Sequence, residues 1–234
     1  MRIIVITSGT GAKAVHSPNP LTADDFRCGA AHVASQLRDR TERLVAAEDL
    51  YAGDQHRLLM EGVRSFRRAW PGDAPHSLEL HIVSPGYGLV AGDREVAQYD
   101  VSFQGMNPGE LREWSELLDI PTAIRRVLRP TFDVGFLLLG RPYLAACAFD
   151  DGLELGGCTF AFGGGAAARE LPPITNLRQV PVGLPEAAAF HCPLFRLKGK
   201  IVGGWLTRLA GDPGLLPALL AEDLDPVTGW ADVA

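Results

Sequence analysis

Four short segments combine glycine with groups able to bind or transform a ligand. The first is Ser8-Gly9-Thr10-Gly11-Ala12-Lys13. Gly9 and Gly11 expose backbone N–H groups and Lys13 adds charge, a combination suited to phosphate. The segment completes neither a P-loop nor G-x-G-x-x-G. The next helix is expected to begin near Thr22, too late for its N-terminus to meet a phosphate held at Gly9, so NTPase and dinucleotide readings fall away. A tight strand-to-loop turn explains the same glycines equally well.

The second segment, Ser84-Pro85-Gly86-Tyr87-Gly88-Leu89-Val90, runs on to Tyr99-Asp100. Glycines on both sides of Tyr87 let the backbone bring its ring close to a planar ligand. A base stacked on such a ring gains about 1–3 kcal/mol. Asp100 lies in a neutral-to-apolar stretch, where a carboxylate could orient water or stabilise a cationic sugar transition state. Residue type alone favours a plainer reading, with Tyr87 packed on the core and Asp100 capping a turn. In the third segment, Gly140-Arg141-Pro142-Tyr143, the arginine could hold a phosphate or carboxylate bidentately. In the fourth, Gly163 to Arg169, glycines Gly163, Gly164 and Gly165 permit close approach to a backbone phosphate. Both are also compatible with sharp turns.

Other chemistries find little support. The six histidines, His16, His32, His56, His76, His81 and His191, show no H-x-x-x-H or H-x-E spacing. Cys28, Cys147, Cys158 and Cys192 form no C-x-x-C pair and are expected as buried small hydrophobes. No metal and no cofactor are expected. There is no G-x-S-x-G elbow, which removes the α/β-hydrolases.

The elements that must position these segments follow from the apolar pattern. Arg2–Thr7, Leu78–Val83, Phe132–Leu139 and Cys158–Phe162 read as buried strands, the third being the most apolar and therefore central. Thr22 reads as an N-cap with Asp24 and Asp25 in the first turn, ahead of one helix carrying Phe26, Ala30, Val33 and Leu37. Further helices are expected over Asp54–Ala69, from Asn107-Pro108 onwards, over Thr122–Arg129 and over Leu194–Ala210. Leu184–His191 follows a proline-rich connection. Strands alternating with helices predict a mostly parallel central sheet covered on both faces, in a single α/β domain spanning residues 1–234. In such a sheet ligands bind outside the carboxyl ends of the strands, where all four segments fall.

Composition sets the limits. Hydrophobic residues make up 47% and charged residues 21% of 234, enough to bury a core without disulfides. MRIIVITSG is too short an apolar run for a signal peptide, and no stretch approaches ~20 apolar residues, so cytoplasmic residence is the default expectation. The net charge of −6 argues against indiscriminate nucleic-acid binding while leaving room for a local basic face. Arg64, Arg67 and Arg68, then Arg125, Arg126 and Arg129, then Arg196, Lys198 and Lys200 form clusters, each read first as a solvated helix face.

Three pieces together resemble the YaaA-like peroxide-stress family. They are Ser8-Gly9 with Lys13 after the first strand, Ala47-Glu48-Asp49-Leu50-Tyr51, and Ser84 with Tyr87-Gly88-Leu89 followed by Tyr99-Asp100. The likeness covers roughly the N-terminal half. Gln98 stands where that family usually has proline before the Tyr-Asp pair, and Pro85 and Gly86 replace its usual lysine or alanine. Phe136-Leu137-Leu138-Leu139-Gly140-Arg141-Pro142-Tyr143 is similar to the hydrophobic strand and turn of uracil-DNA glycosylases, whereas their H-P-S-P loop is replaced by Gly163-Gly164-Gly165-Ala166-Ala167-Ala168-Arg169-Glu170. The aspartate that follows their first strand is absent too.

The resemblance implies a uracil-DNA-glycosylase-like fold and DNA glycosylase activity. It looks most like the phage-defence glycosylases that remove α-glucosylated hydroxymethylcytosine and leave abasic sites. A base-modified DNA duplex is the implied partner, with no membrane and no obligate protein partner. Tyr87 would stack on a flipped base and Asp100 would be the catalytic carboxylate. Ser8, Gly9, Thr10, Ser84, Tyr99, Arg141 and Tyr143 would line the substrate pocket. Lys13, Gly163, Gly164, Arg169, Lys198 and Lys200 would hold DNA. The rival readings are a non-enzymatic DNA-binding stress protein and a nucleoside- or nucleotide-processing enzyme.

Overall fold

In a computed structural model the described residues are 1–39, 44–72, 74–163, 171–222 and 225–227. Strand β1 (Arg2–Ser8) leads through α1 (Ala23–Arg27), α2 (Ala30–Arg38), β2 (Val45–Ala46), α3 (Ala47–Leu50) and α4 (Asp54–Ala69) to β3 (Ser77–Ser84). Then come β4 (Gly88–Ala91), β5 (Glu95–Val96), α5 (Pro108–Leu117), α6 (Ile120–Leu128), β6 (Val134–Leu138), α7 (Arg141–Cys147) and β7 (Cys158–Gly163). The chain continues through β8 (Leu177–Pro181), α8 (Leu184–Ala189), α9 (Leu194–Gly211) and α10 (Leu216–Leu220).

Six strands form one sheet in the order β4-β3-β1-β6-β7-β8, all parallel except the edge strand β4. The short strands β2 and β5 pair separately and antiparallel. Alternation along β1 divides the core. Ile4 and Ile6 face a cluster with Ile124, Leu128 and Leu144, whereas Ile3 and Val5 face Phe66, Ile201 and Trp205. Burial on both faces is why β1 reads as an unbroken apolar run. Each such fully buried aliphatic side chain stabilises the fold by about 1.5–3 kcal/mol.

On the second face α4 and α9 pack almost backbone to backbone. A Cβ on Gly62 would run into the Gly203 backbone, one on Gly199 into the Gln55 carbonyl, and one on Gly203 into the Leu58 carbonyl. Glycine permits this approach because it has no side chain to interpose.

Several local expectations change. The single helix expected after Thr22 is two, because Gly29 adopts φ +89° and breaks the turn between α1 and α2. The N-terminal cap holds: the Asp25 carboxylate accepts from the Thr22 N–H at 2.8 Å and from its hydroxyl at 2.9 Å. The glycine-bearing turn after β3 is a hairpin into β4, with Gly88 at φ +69°. Gly140-Arg141-Pro142 does not merely stop β6, since Gly140 caps α7 and Pro142 fits its first turn. Of the four cysteines only Cys147 is buried, and Cys28, at the end of α1, is exposed. Among the described residues no helix is long and apolar enough to cross a membrane.

Candidate functional site

Strands β1, β3, β6 and β7 run in the same direction, so the segments that follow them emerge at one edge of the sheet. The chain leaves β1 for β3 on one side and returns to β6 on the other, which makes the β1–β6 boundary the switch point where open α/β sheets bind ligands. Residues 8–13, Ser84 with Tyr99 and Asp100, and residues 140–143 lie at that end, whereas β4 carries the chain between them back along β3. Of the fourth segment Gly163 ends β7 beside Pro181, while Gly164 and Arg169 lie outside the described residues.

Lys13 is the centre of the arrangement. Its backbone bridges to Tyr51, with Ala14 N–H donating to Leu50 O at 2.8 Å and Ala52 N–H to Ala12 O at 3.0 Å. The ammonium donates to Thr10 O at 2.7 Å and lies 4.4 Å from the centre of the Tyr51 ring and 4.2 Å from that of Tyr99. Burial lowers its pKa to about 8, against the opposing pull of the Asp100 carboxylate. The ring faces also favour the cation. Desolvation therefore outweighs two stabilising influences, leaving a lysine that loses its proton near physiological pH.

Three hydroxyls lie beneath that amine. Ser84 Oγ donates to Tyr99 Oη at 3.0 Å, and the Tyr99 and Tyr51 hydroxyls share a hydrogen at 3.0 Å. Burial pushes the Tyr51 phenol up and the Tyr99 phenol well up. Both stay neutral at physiological pH and so relay hydrogen bonds rather than act as bases. Gly9 must be glycine here, because a Cβ would come 2.9 Å from the Tyr51 ring. Tyr143, on α7, donates to Gly9 O at 2.6 Å and packs edge-on against Phe103 at 5.1 Å. Burial, reinforced by Tyr51, raises its phenol to about 12.

Asp100 is exposed at the rim, and its position is fixed by its backbone N–H donating to Leu21 O at 2.7 Å. Thr10 Oγ1 donates to Ala12 O at 2.9 Å and accepts from Gly53 N–H at 3.2 Å, tying the loop to the start of α4. Ser8, half-buried, closes the β1 ladder opposite Val83. Arg141 is exposed at the first position of α7.

Other expected site residues take different roles. Tyr87 does not project as a free platform. Its hydroxyl donates to Ala97 O and accepts from Ala97 N–H, both at 3.0 Å, and its ring packs edge-on against Phe26 and Tyr99 at 5.2 and 5.5 Å. Gly86 serves that packing: a Cβ there would come 2.7 Å from the Phe26 ring and 2.9 Å from the Tyr99 ring. Tyr87 lines an apolar cleft of about 290 Å³ with Phe26, Gly29, Val33 and Leu118, none of which belongs to the polar cluster.

Ser84 is fully buried and also accepts from Gly86 and Tyr87 N–H, so it positions Tyr99 rather than touching a ligand. The Tyr99 hydroxyl is likewise internal, and only the ring face reaches Lys13. Lys198 and Lys200 are not open phosphate clamps. Lys198 Nζ donates to Leu139 O at 2.7 Å, with its pKa lowered by burial to about 8, and Lys200 Nζ donates to Phe190 O at 2.6 Å.

Sequence reasoning gave no site role to Tyr51, Gln55 or His56. The phenol of Tyr51 was visible in Ala47–Tyr51, but nothing in the sequence showed that Lys13 would lie over it. Gln55, on α4, donates to Leu138 O at 3.2 Å beside the Lys198 contact. His56 Nε2 lies 2.7 Å from Glu48 O, which joins α3 to α4 and so steadies Tyr51. Burial lowers the His56 pKa, and Nε2 donates to the carbonyl while Nδ1 is buried and unpartnered. No protein-family model matches the chain, and no curated protein matches it.

Proposed function

We propose that this chain is a DNA glycosylase with a uracil-DNA-glycosylase-like fold. Its substrate is a base extruded from a duplex, α-glucosylated hydroxymethylcytosine of phage DNA being the first candidate, and excision would serve antiviral defence. The observation that carries the reading is an exposed carboxylate, Asp100, within electrostatic range of a half-buried Lys13 amine that Thr10 O and two ring faces hold in place at the carboxyl ends of the strands. The resemblance of residues 84–100 and 136–143 to glycosylase-related segments adds to it.

N-glycosidic hydrolysis passes through a sugar bearing positive charge, which a carboxylate on one face stabilises while orienting water. Asp100 takes that role. The departing base carries negative charge, which the protonated Lys13 can neutralise, while the Tyr143 hydroxyl holds the Gly9 carbonyl and so steadies the Lys13 loop. Arg141, at the start of α7, takes a flanking phosphate. Flipping brings the base to this edge rather than onto Tyr87.

One observation favours a second reading, a nucleoside-processing enzyme. Lys198 and Lys200 donate to carbonyls, so fewer cations serve a DNA backbone. Incubation with glucosylated phage DNA, unmodified DNA, uracil-containing DNA and the free nucleosides, with released bases identified by mass spectrometry, decides. Base release and abasic sites only in glucosylated DNA are expected. Release from nucleosides alone moves the assignment to the second reading, and release from nothing overturns both.

A further inference from the structure

We propose that Lys13 is an imine-forming nucleophile, so that the site which releases a base also cuts the abasic strand left behind. This rests on the glycosylase reading above and adds a second activity to it.

A lysine that only neutralises phosphate extends a hydrated ammonium into solvent on a flexible stem. Lys13 is built differently. Its backbone is bridged to Tyr51, its amine is held by Thr10 O, and two ring faces flank it. Lys13 is nonetheless only half-buried, and Gly11 and Ala12 just before it are exposed. The amine is thus fixed in place and partly dehydrated yet lies next to an exposed loop. Burial brings its pKa to about 8, so roughly a tenth is neutral at pH 7. Desolvated lysines with lowered pKa are the ones that attack carbonyl carbons. Asp100 lies within electrostatic range and supplies a base.

Loss of a base leaves a sugar whose open form carries an aldehyde at C1′. The Lys13 Nζ lone pair bonds to C1′ while the carbonyl electrons move to oxygen. A proton passes from nitrogen to oxygen, a second proton from solvent turns the new hydroxyl into departing water, and a protonated imine remains. Asp100 accepts the C2′ proton, leaving an enamine. The enamine electrons form C2′=C3′ and break the C3′–O bond, so the downstream strand leaves with a 5′-phosphate. Water then hydrolyses the imine, which frees Lys13 and leaves an unsaturated aldehyde on the upstream strand. Nothing is oxidised or reduced, and water is the only co-reactant.

The test gives the full chain a synthetic duplex with one abasic site, which bypasses base release, and adds sodium borohydride to reduce any imine to a stable amine. A covalent protein–DNA adduct is expected, mapping to Lys13 by peptide mass spectrometry. Its yield should rise through pH 8, where half the amine is neutral, and level off about one pH unit higher. Lys13→Arg keeps a cation over the two rings and cannot be trapped, so its adduct should fall at least tenfold with an unchanged melting temperature. Mapping on the wild-type chain decides the matter even if the variant unfolds. An adduct on another lysine or on the Met1 amine overturns the inference. So does the absence of any adduct in a preparation that still releases base from glucosylated DNA, and in that case the glycosylase reading stands. An adduct on Lys13 in a protein that releases no base from any DNA upholds the nucleophile and overturns the glycosylase.

Discussion

Lys13 and Lys198 lie at the same edge of the sheet, and their first surroundings are nearly identical. Each donates to a backbone carbonyl at 2.7 Å, and burial lowers each to about 8. What differs is the next neighbour. Lys13 has two aromatic faces and a carboxylate within electrostatic range, on a loop exposed at Gly11 and Ala12. Lys198 reaches from α9 to the end of β6, and burial is the sole cause of its shift. A lowered pKa marks both lysines, but Lys13 alone has two ring faces and a carboxylate among the causes and contacts around it. A perturbed titration becomes a functional signal when the geometry supplies a reaction partner.

The largest effect that would break this comparison is at Asp100. Asp100→Asn should slow single-turnover base release by about 10²- to 10⁴-fold, with duplex affinity and melting temperature retained. Wild-type rates in that variant would remove the carboxylate from the site. Next in size is Tyr87→Ala, which should lower unfolding free energy in urea by about 3 kcal/mol through lost ring packing. A variant that melts normally but excises slowly would return Tyr87 to the base-stacking role. Lys198→Met should cost about 1–3 kcal/mol by leaving Leu139 O without its donor. A full loss of base release at unchanged stability would instead make the two lysines equivalent.

Smallest is the pH dependence of stability. Both lysines have folded-state pKa values near 8 against an ordinary 10.5, so between those values the unfolded chain binds more protons than the folded one. Their contribution to stability therefore rises as pH climbs from 8 to 10.5 and is constant below about 8. Denaturant melts at pH 7.5, 9 and 10.5 should show a smaller rise in Lys13→Met than in the wild type. Equal slopes would mean that Lys13 is fully hydrated.

Much of the scaffold was legible because it rests on burial. Unbroken apolar runs marked β1, β6 and β7, and the 3.6-residue period of Leu59, Val63 and Phe66 marked α4. β8 was not legible, since this edge strand, Leu177–Pro181, buries only Val180 and so lacks an apolar signature. Within the site, strand direction alone brought Gly9, Lys13, Tyr99, Asp100 and Tyr143 to one edge, as the loop reasoning anticipated. Side-chain roles were harder to read. The glycines around Tyr87 suggested an exposed ring, yet Gly86 is small because two rings press on it. Lysines 198 and 200 suggested phosphate, yet each is held by a carbonyl remote in the sequence or beyond the preceding turn. Sequence spacing states which groups are available. Only the packed structure says which are already engaged.

The glycine contacts between α4 and α9 also bear on ancestry. Gln55 and Lys198, which reach to the carbonyls of Leu138 and Leu139, ride on helices whose separation is set by Gly62, Gly199 and Gly203. A methyl group at any of the three would collide with backbone and wedge the helices apart, and no side-chain rearrangement could relieve it. Loops at the sheet edge can exchange residues as ligands change, but a descendant that keeps this helix pair has almost no alternative at those three positions. Gly62, with Gly199 and Gly203 four residues apart, is therefore fixed by backbone contact between two helices and not by whatever the loops bind.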